Sequence, residues 1–282
     1  MLKFMLAARR KPGDTQERYF FEWGFIHVAL MLGTPSVMRS FRRYVQHYSI
    51  SGIDNDMLIY PLSEMAWDNM ADHLVDDYEA IGIPFHAPDY PARMQPHKFG
   101  DDAFAIELLS YETIHEEEGF YGGGVKLIHW LRRRSQLSLE EFNAKWREHG
   151  RRTMKAVPEG LIRKYVIDPQ VPMDPAVFKG TLFERGNVGH YAGVEELWFR
   201  SVEDVARLRR DPALHDTLRA GYATFVDDED TFSMVTTERI IYDYVTPGHI
   251  SPMAAVLDPN SLEAAVDRQG YGGWSIPGWD RK

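Results

Sequence analysis

The chain has 282 residues, 44% of them hydrophobic and 13% aromatic, enough apolar material for one large core or two ordinary ones. A formal net charge of −10 argues against nucleic acid or an anionic membrane surface as the main partner, since neither attracts an acidic chain. Cysteine is absent, which removes disulfides, a thiolate nucleophile and zinc–thiolate sites.

In chain order, "KFMLAA" reads as a short apolar strand that runs into a basic cluster, Arg9, Arg10 and Lys11. Its first residues are too short an apolar run for a signal peptide, and no stretch reaches the roughly 18 apolar residues of a membrane span. A cytoplasmic protein is expected. An amphipathic helix follows, with Asp14 and Glu17 at capping-box spacing and "FFEWGFIHVALM" as its apolar body. "RRYVQHY" (42–48) is a strand by its branched and aromatic content. "SEMAWDNMADHL" (63–74) reads as a strand end carrying Glu64, then a helix. Residues 78–102 are too proline-rich for a helix and too long for a plain connection, which suits a lid or binding loop as well as a surface excursion. "FAIELLSYETI" is a closing strand, and "GFYGGG" (119–124) a flexible linker.

The same order then repeats. Lys3 aligns with Lys126 and Trp23 with Trp146, an offset of 123 in both. "KLIHWLRRR" is a strand with a basic end, and Ser138 with Glu141 opens a helix through a capping box. "IRKYVID" (162–168) answers the earlier strand and pairs Tyr165 with Tyr44. "EELWFRSVEDVA" (195–206) is a strand end carrying Glu196, then a helix, and "FSMVTTERIIYDYV" closes the unit. The fold class is therefore α+β: two ferredoxin-like β-α-β-β-α-β repeats, residues 1–118 and 125–245. Pressing their bare sheet faces together builds a two-sheet barrel within one chain. Such a chain closes its barrel alone, although a homodimer is compatible. The extension 246–282 holds two tryptophans and is expected to wrap the body or a neighbouring subunit.

The succession of strand, "RRKPG" and a helix with W-x-x-x-H resembles the EthD-type family of dimeric α/β-barrel proteins. The resemblance covers most of the chain as a tandem pair. The second copy departs from it: Ser135 and Gln136 replace the Pro-Gly, and His149 follows Trp146 by three residues instead of four. The resemblance implies the fold. For activity it implies only a range, since the wider superfamily includes cofactor-free oxygenases, cyclases, isomerases, dehydratases, decarboxylating enzymes and haem proteins.

The candidate site residues form two groups. Tyr19, Trp23 and His27 follow one another at i, i+4 and share a helix face. The next strand adds Tyr44 and His47 on opposite faces by alternation, and Glu64 is a carboxylate able to orient an imidazole. In the second half His129 interrupts an apolar strand where the first has Leu6. It is joined by His149, Trp146, Tyr165, Glu196 and Trp198. A histidine bonded to a backbone carbonyl in the core would explain His27 equally well. No metal is expected, because no H-E-x-x-H or H-x-H occurs and "HEEE" (115–118) reads as a solvated strand end. No phosphate loop, dinucleotide fingerprint or nucleophile elbow is present, so no cofactor is expected.

Imidazole, phenol and carboxyl groups in an aromatic-lined cavity suit proton transfer. The expectation is a cofactor-independent lyase acting on a hydrophobic, aromatic or polyketide-like substrate. His149 or His27 would be the base, Tyr165 or Tyr44 would stabilise the oxyanion, and His129 or Glu196 would assist loss of water, formaldehyde or carbon dioxide. Trp23, Tyr44, His47, Trp146 and Trp198 would contact the substrate. A cofactor-free monooxygenase or isomerase and a non-catalytic ligand-binding accessory protein are the alternatives.

Overall fold

Alternation along the strands decides which side chains face which layer. In β1 (Leu2–Arg10), Lys3, Met5 and Ala7 point to one side, and Phe4, Leu6 and Ala8 to the other. The computed structural model describes residues 1–116, 120, 122–181 and 183–246. The expected linker falls partly outside these residues, as does the end of "HEEE", and the extension from residue 247 falls wholly outside.

The first half continues with α1 (Gln16–Phe21), a π-helical stretch (Glu22–His27), α2 (Val28–Leu32), α3 (Pro35–Ser40) and β2 (Phe41–Ser49). Then come β3 (Asn69–Val75), α4 (Glu79–His86), α5 (Asp89–Met94), β4 (Gly100–Ser110) and β5 (Thr113–Glu116). The second half runs β6 (Val125–Arg133), α6 (Leu139–Ala156), β7 (Lys164–Pro169), the two-residue β8 (Asn187–Val188), β9 (Gly193–Phe199), α7 (Val202–Arg210), α8 (Pro212–Tyr222) and β10 (Val226–Asp243). Ser138 and Glu141 form the capping box at α6, each satisfying a backbone N–H of the other. The cap of α1 is Thr15, whose hydroxyl accepts the Arg18 N–H, rather than Asp14.

Two expectations need correction. "SEMAWDNMADHL" does not run from a strand into a helix. Residues 63–66 turn, and Asn69–Val75 is the strand, with Met70 and Asp72 facing the sheet's inner side and Ala71, His73 and Val75 the helices. Residues 78–102 are not a structureless insertion either. They contain α4 and α5, which complete the helical layer of the first half. Pro84 is tolerated because α4 is short, and Pro91 sits in the first turn of α5, where no N–H is needed.

The ten strands form one sheet in the order β5-β7-β9-β6-β10-β2-β3-β1-β4-β8. β10 spans both halves, pairing with β6 through its first part and with β2 through its second. β4 and β5, separated by Tyr111 and Glu112, do the same on the other side. β4 pairs with β1 and β5 with β7, and a Ser110–Gln170 bridge lies between. The sheet therefore closes into a barrel and leaves few edges to be capped.

Three cores result. The barrel interior holds an apolar part around Met5, Met70, Ile128 and Trp130, and a charged part described below. Outside the barrel, the helices of each half pack on that half's strands around Tyr19 and Trp23 in the first and Phe142 and Trp146 in the second. Each outer core is completed by the other half. Phe178 and Phe183, from the β7–β9 connection, enter the first, and Leu58 and Tyr60, from the β2–β3 connection, enter the second. Among the described residues no helix is long and apolar enough to cross a membrane.

Candidate active site

The first-half outer core contains a cavity lined by His27, His73, His97, Tyr19, Tyr44 and mostly apolar neighbours. Its free space is about 50 Å³, on a measure in which one water needs about 10–15 Å³. This closed space is far below the several hundred Å³ of typical ligand sites, so neither haem nor an aromatic ring enters it without movement of the lining side chains.

The π-helical stretch sets the position of Trp23 and His27, since an extra residue per turn shifts the face that follows it; such turns often occur at functional sites. His97 comes from the segment that precedes β4. Its Nδ1–H donates to Asp102 Oδ1 at 2.9 Å, and its backbone N–H donates to Asp102 Oδ2 at 3.1 Å. That bond anchors the ring through Nδ1 and leaves Nε2 buried and without a hydrogen-bond partner. The His97 ring stacks on Phe99 at 5.1 Å and meets His27 edge-on at 5.1 Å. Tyr19 also abuts Phe99, at 5.4 Å, and its hydroxyl has no partner. His73 lies flat against Tyr44 at 4.6 Å with its Nδ1 unpartnered. Buried polar atoms without partners each cost about 1–3 kcal/mol, and three of them belong to residues that line this one cavity.

Electrostatics favours neutral groups here. Burial, helped by the neighbouring His97 and His73, holds His27 well below the usual imidazole value, and burial pushes His73 down to about 4. Burial, with Asp68 and Tyr44 nearby, raises Tyr19, and Tyr44 is raised in the same way. Both phenols stay protonated and able to donate.

The second-half group is built differently. Glu195, not Glu196, is its centre. One carboxylate oxygen accepts from Trp146 Nε1 at 2.9 Å and from the Tyr165 hydroxyl; the other accepts from His129 Nδ1 at 2.8 Å and from the Tyr222 hydroxyl. Burial would raise this carboxyl, but the His129 bond and charge, with His149 and Tyr165, hold it down at about 2. His149 packs on Tyr222 at 4.2 Å and lies 3.4 Å from Thr153 Oγ1. His149, His129, Tyr165 and Trp146 are thus together as expected, in a filled cluster whose polar groups mostly satisfy one another.

The other expected residues separate. Glu196, His47 and Trp198 point into the barrel, because each lies one residue out of phase with the strand positions that face the helices. There Glu196 accepts from Lys3 and from Lys126 (2.6 Å), His47 Nε2 lies 2.9 Å from Asp72, and Trp198 Nε1 donates to Glu238 at 3.0 Å. The remaining charges around Lys3 and Lys126 are Arg43, Glu112 and Asp168. Three cations face five carboxyls, and burial beside the like charges of Glu196 and Glu112 keeps Asp168 protonated. Glu64 is exposed in the turn before β3 and joins neither cluster. The strand position of the first half that corresponds to Glu196 is held by Asp72, registered with Met5 as Glu196 is with Ile128. Ligand atoms of His47, Asp72 and Glu196 lie within 4.8 Å of one another. Lys3 Nζ, bonded to Glu196 and 3.8 Å from Asp72, already supplies a cation there.

Sequence reasoning missed His97 and Asp102, both in a stretch taken for an irregular loop. The available signal was "HKFGDD", an imidazole five residues ahead of a carboxylate beside a strand rich in apolar residues.

Residues 134–229, from just after β6 into β10, match the family model of the EthD domain. The motif that carried the resemblance most fully lies in the other half. No curated protein matches the sequence. Among solved structures, a "putative monooxygenase" from Lactobacillus acidophilus NCFM is 8% identical, with 85% of this chain and 93% of that one covered at a TM-score of 0.42. A "putative monooxygenase" from Fusobacterium nucleatum is 7% identical, with 85% and 91% covered at 0.42. A "putative chlorite dismutase" is 10% identical, with 91% and 99% covered at 0.44.

Proposed function

We propose that the protein is a small-molecule enzyme working by proton transfer in the first-half cavity, with His97 as general base. The observation that carries this reading is the His97–Asp102 pair: one ring nitrogen is fixed on a carboxylate, and the other is buried and unpartnered on the cavity wall. His97 Nε2 takes a proton from a hydroxyl, or from carbon beside a carbonyl, and Asp102 stabilises the imidazolium that forms. The Tyr19 hydroxyl, free to donate, stabilises the developing oxyanion.

The overall reaction that fits is a lyase step: a carbanion beside the carbonyl expels hydroxide, which leaves as water with the proton held on His97, or an alkoxide breaks its neighbouring C–C bond to release formaldehyde and the carbanion left behind takes that proton. The apolar, aromatic lining supports a hydrophobic aromatic or polyketide-like substrate. Entry of a ring requires neighbouring side chains to move, given the small free space.

The test is solvent deuterium exchange into aromatic ketones, followed by NMR, together with product release measured by mass spectrometry. His97→Gln should lower exchange about 10²-fold or more with the fold intact. Undiminished exchange in that variant would remove the proposed base. Oxygen uptake in step with turnover would move the activity to the oxygenase class.

A further inference from the structure

Glu107 is 1% exposed, and among the described residues neither of its carboxyl oxygens has a hydrogen-bond partner. It has no part in the chemistry described above. An unpaired buried carboxyl costs several kcal/mol and returns nothing to the fold, so its presence calls for a partner that arrives from outside.

Its position shows where that partner comes from. On β4 the side chains of Ala105, Glu107 and Leu109 share the helix-facing side, and Ala105 lines the cavity. Across the sheet Glu107 is registered with Leu6, which lines the cavity as well. The carboxyl therefore stands one strand repeat, about 7 Å, beyond the cavity wall. What covers it is the turn Phe183–Gly186, closed by the Gly186 N–H donating to the Phe183 carbonyl at 2.8 Å. Phe183, at one end of that turn, walls the cavity. At the other end, Gly186 lies so close that a Cβ there would be 2.0 Å from Glu107 Oε1. One turn thus separates the cavity from the carboxyl.

We propose that Glu107 is a specificity-determining residue, forming a polar subsite of the first-half cavity that donates a hydrogen bond to a carbonyl oxygen of the substrate once the turn Phe183–Gly186 is displaced. The inference rests on that cavity being the reactive site. Burial pushes the Glu107 carboxyl up to about 8, so at neutral pH it is mostly a donor, suited to a carbonyl. Displacement of the turn also supplies the room that an aromatic ring lacks in the closed cavity.

The test compares two ligands of equal length, 4-hydroxyacetophenone and 4-ethylphenol, binding to the full chain by calorimetry. The wild type should prefer the ketone by about tenfold. Glu107→Leu should abolish the preference while keeping 4-ethylphenol affinity and raising Tm, and Glu107→Gln, which retains a donor, should keep most of it. A ketone preference that survives Glu107→Leu overturns the proposal. So does an equal loss of both ligands, which would mark a structural role. If 4-ethylphenol binds and His97→Gln weakens it, but no ketone preference exists, this inference alone fails. Absence of binding by both ligands removes the cavity reading and this inference together.

Discussion

Replacing Glu195 by leucine deletes the acceptor that four buried donors share: His129 Nδ1, Trp146 Nε1 and the hydroxyls of Tyr165 and Tyr222. At about 1–3 kcal/mol for each stranded donor, the gross loss is roughly 4–12 kcal/mol. Part is returned because a buried charge no longer has to be desolvated, leaving a net loss of about 3–5 kcal/mol. That is a large share of the roughly 5–15 kcal/mol that holds a domain folded. Glu195→Gln keeps one carbonyl for one pair of donors, and phenol and imidazole at the other pair can turn to accept, so its cost should be about 1–2 kcal/mol. Urea unfolding followed by tryptophan fluorescence, with Trp146 inside the cluster, and by far-UV circular dichroism measures both. Acid supplies the sign. Glu195 is depressed to about 2 from an ordinary 4.5, so its charge stabilises the fold above 4.5, and that advantage is lost as pH falls from 4.5 towards 2. The gap between wild type and Glu195→Gln should close across that interval. A Glu195→Leu chain with wild-type stability, or a gap that widens in acid, would refute the reasoning.

Buried neutral histidines make the chain labile to mild acid. His27, His73 and His149 all sit below the ordinary 6.5, so below that pH the unfolded chain binds protons that the folded chain refuses. Stability should fall by about 1.4 kcal/mol per pH unit for each, and for His73 down to about 4. His73→Phe should flatten the dependence of the urea midpoint between these limits, and an unchanged slope would argue against a neutral His73. In the barrel, Lys3→Met leaves the carboxylates of Glu196, Glu112 and Asp72 short of a cation and should cost about 3–5 kcal/mol. Thermal melts should show part of that loss recovered when Glu196→Leu is added. Asp102→Asn should keep the fold but lower turnover about 10–100-fold, because His97 loses the partner that fixes its tautomer. Nitrogen shifts of His97 in NMR report that change independently of activity.

The order of strands and helices could be read in advance wherever local chemistry was decisive. The S-x-x-E box announced α6, alternation in "RRYVQHY" put Tyr44 and His47 on opposite faces, and His129 was picked out as a polar residue that packing did not require. The third strand of the first half escaped because "AWDNMADHL" spaces its apolar residues as a helix would, while its pairing with β1 and β2 is made by residues far away in sequence. α4 and α5 escaped because prolines stand where short helices tolerate them.

Sequence by itself determined the element types where local patterns were decisive, the acidic net charge, and which residues carry imidazole, phenol and carboxyl groups. Only the tertiary structure decided their partners. A strand's period fixes which side a residue faces, so Glu195 and Glu196 had to diverge, but which of them met His129 and which met Lys3 depended on how the sheet closed. Closure also carried Phe183 into the first outer core and Tyr60 into the second, so that one retained a cavity beside His97 and the other became a filled cluster around Glu195. Partnership is set by contacts between segments distant in the chain, and a local pattern does not encode those distances.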